Sequence, residues 1–238
     1  MRLFIFPHAG GNAYSYISFR SWLPKLLTLE LLELPGRGKK TKEKLIYDAE
    51  EAADSLFAEI KDRLDEPYAI FGHSMGSLLS YLVIKRIVAA NLAPPIKFFS
   101  SSAMAPSMIR NNKSLMLDSD KFWEMIIEIG GVQNSLLLDD QVRDMFEPIL
   151  RADFQALETY KYRYTDKLTV PIVVFLADED KVSLEECLTW QDETTEDIKI
   201  YQFKGNHFYI LKHNVHLIDA ILLELKPLNH CDPWEINS

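Results

Sequence analysis

Residues 68–76 read Tyr-Ala-Ile-Phe-Gly-His-Ser-Met-Gly, and this stretch decides the fold. The run Tyr68 to Phe71 is short and apolar, as in a buried strand, while a helical pattern extends from Met75 to Ala90. Ser74 lies between them, with a glycine two residues away on either side. A strand, a sharp turn and a helix in this order lift the serine hydroxyl above the edge of a sheet, and glycines avoid the clash that side chains would cause there. The stretch therefore predicts a nucleophile elbow with Ser74 as the nucleophile.

Glycine is scarce in the chain as a whole. There are 9 glycines among 238 residues, about 4% against a typical value of roughly 7%. Most of them follow apolar runs: Gly10 and Gly11, Gly36 and Gly38, Gly72 and Gly76, and Gly205. Because parallel α/β sheets bind ligands at the carboxyl ends of their strands, these glycines outline the edge where we expect the functional site. The remaining pair, Gly130 and Gly131, is interpreted as the end of a helix.

The order of apolar patterns predicts the fold class. Six apolar runs are predicted to be strands: Leu3 to Phe6, Thr28 to Leu34, Tyr68 to Phe71, Ile96 to Ser100, Ile172 to Leu176 and Ile198 to Phe203. Helical patterns lie between or after them: Ala13 to Leu27, Tyr47 to Leu64, Met75 to Ala90, Leu184 to Trp190 and Val215 to Leu225. This alternation predicts an α/β fold with a mainly parallel, helix-covered sheet of about six strands. We expect one domain over residues 1–238, with a helical lid inserted at about 104–168.

A serine nucleophile needs a base and an acid that orients the base, and in folds with this elbow they follow in the order serine, acid, histidine. His207 is the predicted base because it directly follows the last predicted strand. Three carboxylates follow the strand Ile172 to Leu176, at Asp178, Glu179 and Asp180. Asp180 is the predicted acid because it lies farthest into the turn, and Asp178 is the alternative.

Two backbone N–H groups are needed to stabilise the negative charge on a carbonyl oxygen under attack. One belongs to the residue after the nucleophile, Met75, and the other comes from the loop after the first strand, where we predict Ala9. The adjacent Gly10 and Gly11 let the main chain turn sharply there. A phosphate-binding loop is the alternative interpretation, but no G-x-G-x-x-G or Walker pattern follows.

Composition excludes several other classes of protein. The chain has 26 Lys and Arg against 35 Asp and Glu, and its net charge of −9 disfavours binding to nucleic acid. The first apolar run is too short for a signal peptide and no apolar stretch reaches about 18 residues, so we expect a cytoplasmic protein that does not enter a membrane. Cys187 and Cys231 have neither a disulfide framework nor a metal-ligand spacing and are predicted to be reduced thiols. No cofactor and no metal are expected.

With these residues identified, the chain resembles the type II thioesterases of the α/β-hydrolase superfamily, the stand-alone editing enzymes that accompany nonribosomal peptide and polyketide synthases. The matching motifs are spread over nearly the whole chain: Phe6 to Gly11, Leu34 to Arg37, Phe71 to Gly76, Arg151 to Phe154 and Gly205 to Phe208. The chain departs from the family's usual pattern at Gly38-Lys39-Lys40, where an acidic and then a basic residue are common, and at Asn206, where a second glycine is common.

The resemblance implies a fold, a site and a substrate. It implies an α/β-hydrolase fold with Ser74, Asp180 and His207 as the catalytic triad, and with Met75 and Ala9 forming the oxyanion hole. The implied reaction is hydrolysis of acyl thioesters on the phosphopantetheine arm of an acyl or peptidyl carrier protein, through an acyl-serine intermediate. The carrier protein is the expected partner, and the enzyme is expected to be a monomer.

Flexible side chains in the predicted lid suit such a substrate. Five of the seven methionines lie between residues 104 and 168, and thioether side chains adapt to acyl groups of different shape. The predicted substrate-binding residues are Met104, Met108, Phe122 and Trp123, and packing of the lid onto the core is the alternative explanation for them. The basic run from Arg37 to Lys44 is either a docking surface for an acidic carrier protein or a solvated loop.

The same catalytic residues would also serve related activities. A medium-chain acyl thioesterase of fatty-acid synthesis and a small-molecule carboxylesterase share the chemistry and differ in the leaving group. A binding protein on a catalytically silent hydrolase scaffold is a third alternative, against which the presence of Ser74, Asp180 and His207 argues.

Overall fold

Six parallel strands form a sheet in the computed structural model, which describes residues 1–110, 113–130, 140–212 and 214–226. The strands are β1 (Arg2–Phe6), β2 (Thr28–Leu31), β3 (Tyr68–His73), β4 (Lys97–Ser101), β5 (Ile172–Ala177) and β6 (Lys199–Phe203). Their order across the sheet is β2-β1-β3-β4-β5-β6, and every neighbouring pair is parallel. The chain thus reverses direction across the sheet between β2 and β3, and the loops after β1 and β3 leave the same edge side by side.

Helices connect the strands and cover both faces of the sheet. The α-helices are α1 (Ala49–Ile60), α2 (Met75–Ala89), α3 (Ser119–Ile129), α4 (Asp140–Thr159), α5 (Leu184–Leu188), α6 (Tyr209–Lys212) and α7 (Asn214–Leu225). Local chemistry sets several of their ends. The Asp48 side chain accepts hydrogen bonds from two N–H groups at the start of α1, and Gly130 ends α3 in the left-handed conformation at φ 89°. The predicted helix end at Gly130 is confirmed, while Gly131 lies outside the described residues.

Successive residues of each strand pack on opposite faces of the sheet. In β1, Phe4 and Phe6 lie in the apolar core that contains α1 and α2, whereas Leu3 and Ile5 lie in the core that contains α7. All four side chains are buried, and burying a side chain of this size stabilises the fold by roughly 2 kcal/mol. A strand that is apolar at every position is what a sheet covered on both faces requires.

The six predicted strands are confirmed, and so is the parallel sheet. Their ends agree with the observed ends to within two residues, except that β2 stops at Leu31 rather than Leu34. In β1 and β3, Phe6 lies beside Gly72. This register brings the loop after β1, which contains Ala9 and is called the oxyanion loop below (residues 7–12), next to the predicted elbow.

The predicted helix from Ala13 to Leu27 is wrong. The chain forms a 3-10 helix over Ala13–Ser21 instead, with Tyr16 and Phe19 as its buried residues. Their spacing of three residues suits the three-residue turn of a 3-10 helix. A capping box between Asn12 and Ser15 fixes its start, and it ends before Pro24.

The predicted insertion contains helices and no strand over its described residues. Between residues 105 and 167 the described chain holds no strand, but contains α3, α4 and 3-10 helices at Pro106–Met108 and Ser114–Met116. An apolar cluster joins Phe122, Trp123 and Ile126 of α3 to Leu150 of α4. The division into one domain with a lid at about 104–168 stays a prediction.

None of the helices in the described ranges is both long enough and apolar enough to cross a membrane.

Candidate active site

Ser74 lies on the turn between β3 and α2, at φ 54° and ψ −122°. A residue with a side chain is strained in this region, at a cost on the order of 1 to 3 kcal/mol. The surrounding hydrogen bonds hold the turn: the Ser74 N–H donates to the Ser101 carbonyl at 2.8 Å, and the Ser77 N–H donates to the Ser74 carbonyl at 2.9 Å. The Ser77 hydroxyl donates to the Gly72 carbonyl at 2.8 Å. Ser74 is thus held, half-buried, at the carboxyl edge of the sheet.

Gly72 and Gly76 are needed here for close approach of the backbone. A Cβ atom on Gly72 would lie 2.2 Å from the Gly76 carbonyl oxygen, and one on Gly76 would lie 2.6 Å from the Phe6 carbonyl oxygen. Both clashes are with main-chain atoms, which cannot rotate away as a side chain can. The prediction that these glycines make room for the elbow is confirmed.

His207 is paired with Asp180. Its Nδ1 atom lies 3.0 Å from each carboxylate oxygen, and the Asp180 side chain is only 1% exposed. Burial alone would raise the pKa of Asp180, but the hydrogen bond and charge of His207 hold that pKa below its usual value. The ionised carboxylate places the proton of a neutral His207 on Nδ1 and leaves Nε2 free to accept a proton. The His207 ring centroid lies 5.0 Å from that of His73, the residue before Ser74.

The other two acids of this turn make different contacts. Asp178 accepts hydrogen bonds from Lys204 Nζ at 2.5 Å and from the Gly205 N–H at 2.9 Å. The Glu179 N–H donates to the Gly205 carbonyl at 2.9 Å. These bonds fasten the loop after β5 to the loop after β6. Of the two acids that the sequence left open, the geometry favours Asp180 as the partner of His207.

Ser102 is a site residue that sequence reasoning missed. It follows β4 with φ 49° and is buried, and its side chain helps, after that of His207, to hold the pKa of Asp180 below its usual value. Its N–H donates to the Phe175 carbonyl at 2.8 Å, and its Oγ lies 3.5 Å from the His207 carbonyl oxygen. The available signal was the run of three serines at the carboxyl end of a predicted strand.

Residues 8–11 form a tight turn beside the elbow. The Gly11 N–H donates to the His8 carbonyl at 2.8 Å and Gly10 has φ 74°, the pattern of a type II turn. Because the His8–Ala9 peptide is trans, the Ala9 N–H points away from that hydrogen bond. In the part of the chain that the structure describes, neither the Ala9 N–H nor the Met75 N–H has an acceptor. Two unpaired N–H groups next to a nucleophile are suited to bind an oxyanion.

Two further histidines are buried beside His207. His8 Nδ1 lies 2.7 Å from the Tyr16 hydroxyl, and His73 Nδ1 lies 2.9 Å from the Ser101 hydroxyl. Burial first, and then the charge of His207, lower the pKa of His8 to about 4 and that of His73 well below its usual value. Both rings are therefore neutral at neutral pH. Neither ring therefore adds a positive charge beside His207.

Acid is expected to destabilise the protein through His8. Below pH 6.5 the unfolded chain binds a proton at this position, whereas the folded protein does not until about pH 4. Between pH 7 and pH 5 this difference should lower the free energy of unfolding by about 2 kcal/mol. Urea unfolding at the two pH values checks this, since His8→Gln should remove that part of the pH dependence. Replacement of the exposed His216 is the control, and an unchanged pH dependence in His8→Gln would contradict the prediction.

The predicted substrate-binding residues occupy two different environments. Phe122 and Trp123 are buried between α3 and α4, where the Trp123 indole N–H donates to Glu147 at 2.8 Å. Met104 and Met108 follow β4 and are half-buried. Burial between helices agrees with the packing alternative for the two aromatic residues. Contact with a substrate stays a prediction for all four.

The basic run is less exposed than its sequence suggested. The Arg37 side chain is 3% exposed and paired with Asp153, and Lys40 Nζ donates to Glu59 at 2.6 Å and to the Glu33 carbonyl at 2.8 Å. Lys39, Lys42 and Lys44 are exposed. Arg37 therefore faces the protein interior and does not belong to a docking surface.

Cys187 is a buried free thiol, and burial raises its pKa to about 12. A thiol with so high a pKa is a poor nucleophile at neutral pH. Cys231 lies outside the described residues. Over the described ranges, no group of three or more His, Cys, Asp or Glu residues is arranged to hold a metal ion.

Comparison with known proteins adds an independent line of support. A family model described as "Thioesterase domain" matches residues 1–224, a range that includes Ser74, Asp180 and His207. The chain is 25% identical over 228 residues to the gramicidin S biosynthesis protein GrsT of Aneurinibacillus migulanus, covering 95% of this chain and 89% of that protein. It is 28% identical over 216 residues to the medium-chain S-acyl fatty acid synthase thioesterase of Homo sapiens, covering 88% and 81%. The structure of the type II thioesterase BorB from the borrelidin biosynthetic cluster superposes with a TM-score of 0.87 at 30% identity, covering 94% of this chain and 92% of that one.

Proposed function

The chain belongs to the thioesterase family, and from this membership we propose that it is a type II, editing thioesterase that hydrolyses acyl groups from the phosphopantetheine arm of a carrier protein in nonribosomal peptide or polyketide biosynthesis. The observation that carries the proposal is the pairing of His207 with a buried, ionised Asp180 next to the strained elbow at Ser74. The similarity to GrsT and BorB supports the biosynthetic setting.

Acylation begins with attack of the Ser74 hydroxyl oxygen on the thioester carbonyl carbon. His207 Nε2 accepts the hydroxyl proton, and Asp180 stabilises the resulting imidazolium through its bond to Nδ1. The carbonyl oxygen becomes an oxyanion that accepts hydrogen bonds from the Met75 and Ala9 N–H groups. Collapse of the tetrahedral intermediate breaks the bond between carbon and sulfur. The phosphopantetheine sulfur leaves and takes up the proton from His207 Nε2, so that an ester remains on Ser74 and His207 is neutral again.

Deacylation uses the same groups in a second cycle. A water molecule attacks the acyl-serine while His207 Nε2 accepts its proton, and the proton then passes to the Ser74 oxygen as the fatty or amino acid leaves. A thiol has a pKa of about 8.5, so its thiolate departs readily and acylation relies less on His207 as an acid. Activation of water is therefore the step that depends most on His207.

A medium-chain thioesterase of fatty-acid synthesis is the second candidate. The human relative of that description, 28% identical to this chain, favours it. The two candidates share the triad and differ in the carrier protein and acyl chain that they accept. The two candidate functions can be distinguished by comparing the rates at which the protein hydrolyses different substrates.

We expect hydrolysis of acyl-loaded carrier protein to exceed hydrolysis of a p-nitrophenyl ester of the same acyl group. The comparison uses a peptidyl carrier protein loaded with acetyl or octanoyl groups, a fatty-acid acyl carrier protein loaded in the same way, and the two esters. An advantage in kcat/KM of at least about tenfold, or 1.4 kcal/mol of binding in the transition state, is expected for the peptidyl carrier.

Other results of this comparison would support a different activity. A preference for octanoyl groups on the fatty-acid carrier would support the second candidate, and equal rates on carrier and ester would indicate a carboxylesterase. Labelling of Ser74 by a fluorophosphonate tests for catalysis itself, because a silent binding protein would not react.

A further inference from the structure

Arg37 and Asp153 form a buried ion pair that contacts the turn from His8 to Gly11. Arg37 Nη1 and Nη2 lie 2.5 Å and 2.7 Å from the two carboxylate oxygens of Asp153, and both side chains are almost fully buried. A buried ion pair is by itself weak grounds for a gain in stability, because both charges have lost their water. This one makes a further bond: Asp153 Oδ2 accepts a hydrogen bond from the Gly10 N–H at 2.7 Å.

That third bond fixes one peptide of the turn. The Gly10 N–H belongs to the Ala9–Gly10 peptide, which lies at the centre of the type II turn from His8 to Gly11. A flip of this peptide would direct the Ala9 carbonyl oxygen at the Asp153 carboxylate, and the two would repel each other. The carboxylate therefore holds the turn in its observed form. Leu150, one helical turn before Asp153 in α4, packs against Gly10 so closely that a Cβ atom there would lie 2.6 Å from Leu150 Cδ2.

The other end of the same loop is held by Glu33. Its Oε1 accepts from the Ala13 N–H at 3.1 Å and its Oε2 accepts from the Lys39 N–H at 2.9 Å. Gly38 leaves room for this carboxylate, since a Cβ atom there would lie 1.9 Å from Glu33 Oε1. Glu33 thus binds both the oxyanion loop and the loop that presents Arg37.

We infer that Asp153, oriented by Arg37, is a positioning residue for the oxyanion hole. The inference rests on the proposed function, because it assigns the Ala9 N–H to that hole. An oxyanion hole is effective when its donors are already aimed before charge develops. Here the hydrogen bond from the Gly11 N–H to the His8 carbonyl orients the Ala9 N–H, and Asp153 holds the turn in which that bond forms. Asp153 is held in turn by Arg37, so two elements distant in the chain, the loop after β2 and helix α4 of the insertion, support the turn through one bidentate ion pair.

The test compares Asp153→Asn with the unchanged enzyme on a p-nitrophenyl ester and with an alkyl trifluoromethyl ketone. The ketone adds to Ser74 and forms a tetrahedral oxyanion, so its affinity reports on the hole, whereas KM reports mainly on the ground state. We expect kcat/KM and the affinity for the ketone to fall together, by about 10- to 100-fold, while KM changes less than about twofold.

Glu224→Gln is the matched control. Glu224 is also a buried carboxylate, 4% exposed, and it binds Lys97, Lys199 and Tyr201 rather than the oxyanion loop. Its replacement should change thermal stability without changing the affinity for the ketone. If Asp153→Asn does not fold, Arg37→Lys takes its place, because lysine keeps the charge but loses the bidentate geometry. A parallel loss of about fivefold or more in kcat/KM and ketone affinity is then expected.

The outcomes separate the inference from the proposed function. Unchanged ketone affinity in the variant that folds, or an equal loss in Glu224→Gln, would overturn the role of Asp153 while leaving the thioesterase proposal intact. A wild-type protein that neither hydrolyses the ester nor binds the ketone would overturn the proposed function first.

Discussion

Ser74→Ala is expected to lose hydrolysis of every acyl substrate, by about 10⁴-fold or more in kcat. The reason is that the acyl-enzyme forms on the hydroxyl oxygen of Ser74. A water molecule that attacked the substrate instead would not be held in position by the turn between β3 and α2. The fold should persist, because the N–H and carbonyl groups of residue 74 keep their bonds to Ser101 and Ser77. Alanine also adopts the same strained backbone as serine, so the melting temperature should change little.

The measurement is steady-state hydrolysis of an acyl-loaded carrier protein, together with fluorophosphonate labelling and circular dichroism. Ser107→Ala, which replaces an exposed serine of the 3-10 helix after β4, is the control and should retain both activity and labelling. Retention of labelling or of more than about a hundredth of the activity in a folded Ser74→Ala protein would mean that another residue is the nucleophile.

Local patterns in the sequence predict the elbow and the sheet because the chemistry behind them is local. The five-residue motif around Ser74 contains both the strained turn and the glycines that allow it, and the apolar runs need no distant partner to be interpreted. The pairing of His207 with an acid of the loop after β5 can also be predicted from the sequence, since the chain order of an elbow-bearing fold restricts the choice of base and acid.

Contacts between distant segments cannot be predicted from local patterns in the same way. Arg37 and Asp153 are separated by 116 positions, and in the sequence Arg37 begins a run of lysines that suggests an exposed loop. Ser102 owes its place beside Asp180 to a left-handed backbone at the end of β4, which a serine seldom adopts and a sequence pattern does not indicate. The pattern after the oxyanion loop predicts an α-helix where the chain forms a 3-10 helix, because apolar residues at spacings of three fit both periods.

The choice between two acids can be decided by a pair of matched variants. Asp180→Asn is expected to lower kcat by about 10³- to 10⁴-fold, because an amide does not stabilise the imidazolium and can hold His207 in the wrong tautomer. Asp178→Asn, two positions away in the same turn, should lower kcat less than about threefold. Its carboxylate binds the exposed Lys204 and the Gly205 N–H, and an asparagine side chain can still accept from Gly205.

Each substitution replaces one carboxylate oxygen by an amide nitrogen on the same loop, so general damage to the loop would affect both variants alike. Steady-state rates over pH 6 to 9 with one acyl-loaded carrier protein measure the effect. The pKa of Asp180 lies below its usual value, so this carboxylate stays ionised across that range and the deficit of Asp180→Asn should persist throughout. Equal losses in the two variants would show that the loop matters more than the charge. A larger loss in Asp178→Asn would make Asp178 the catalytic acid and require His207 to turn away from the carboxylate that it now faces.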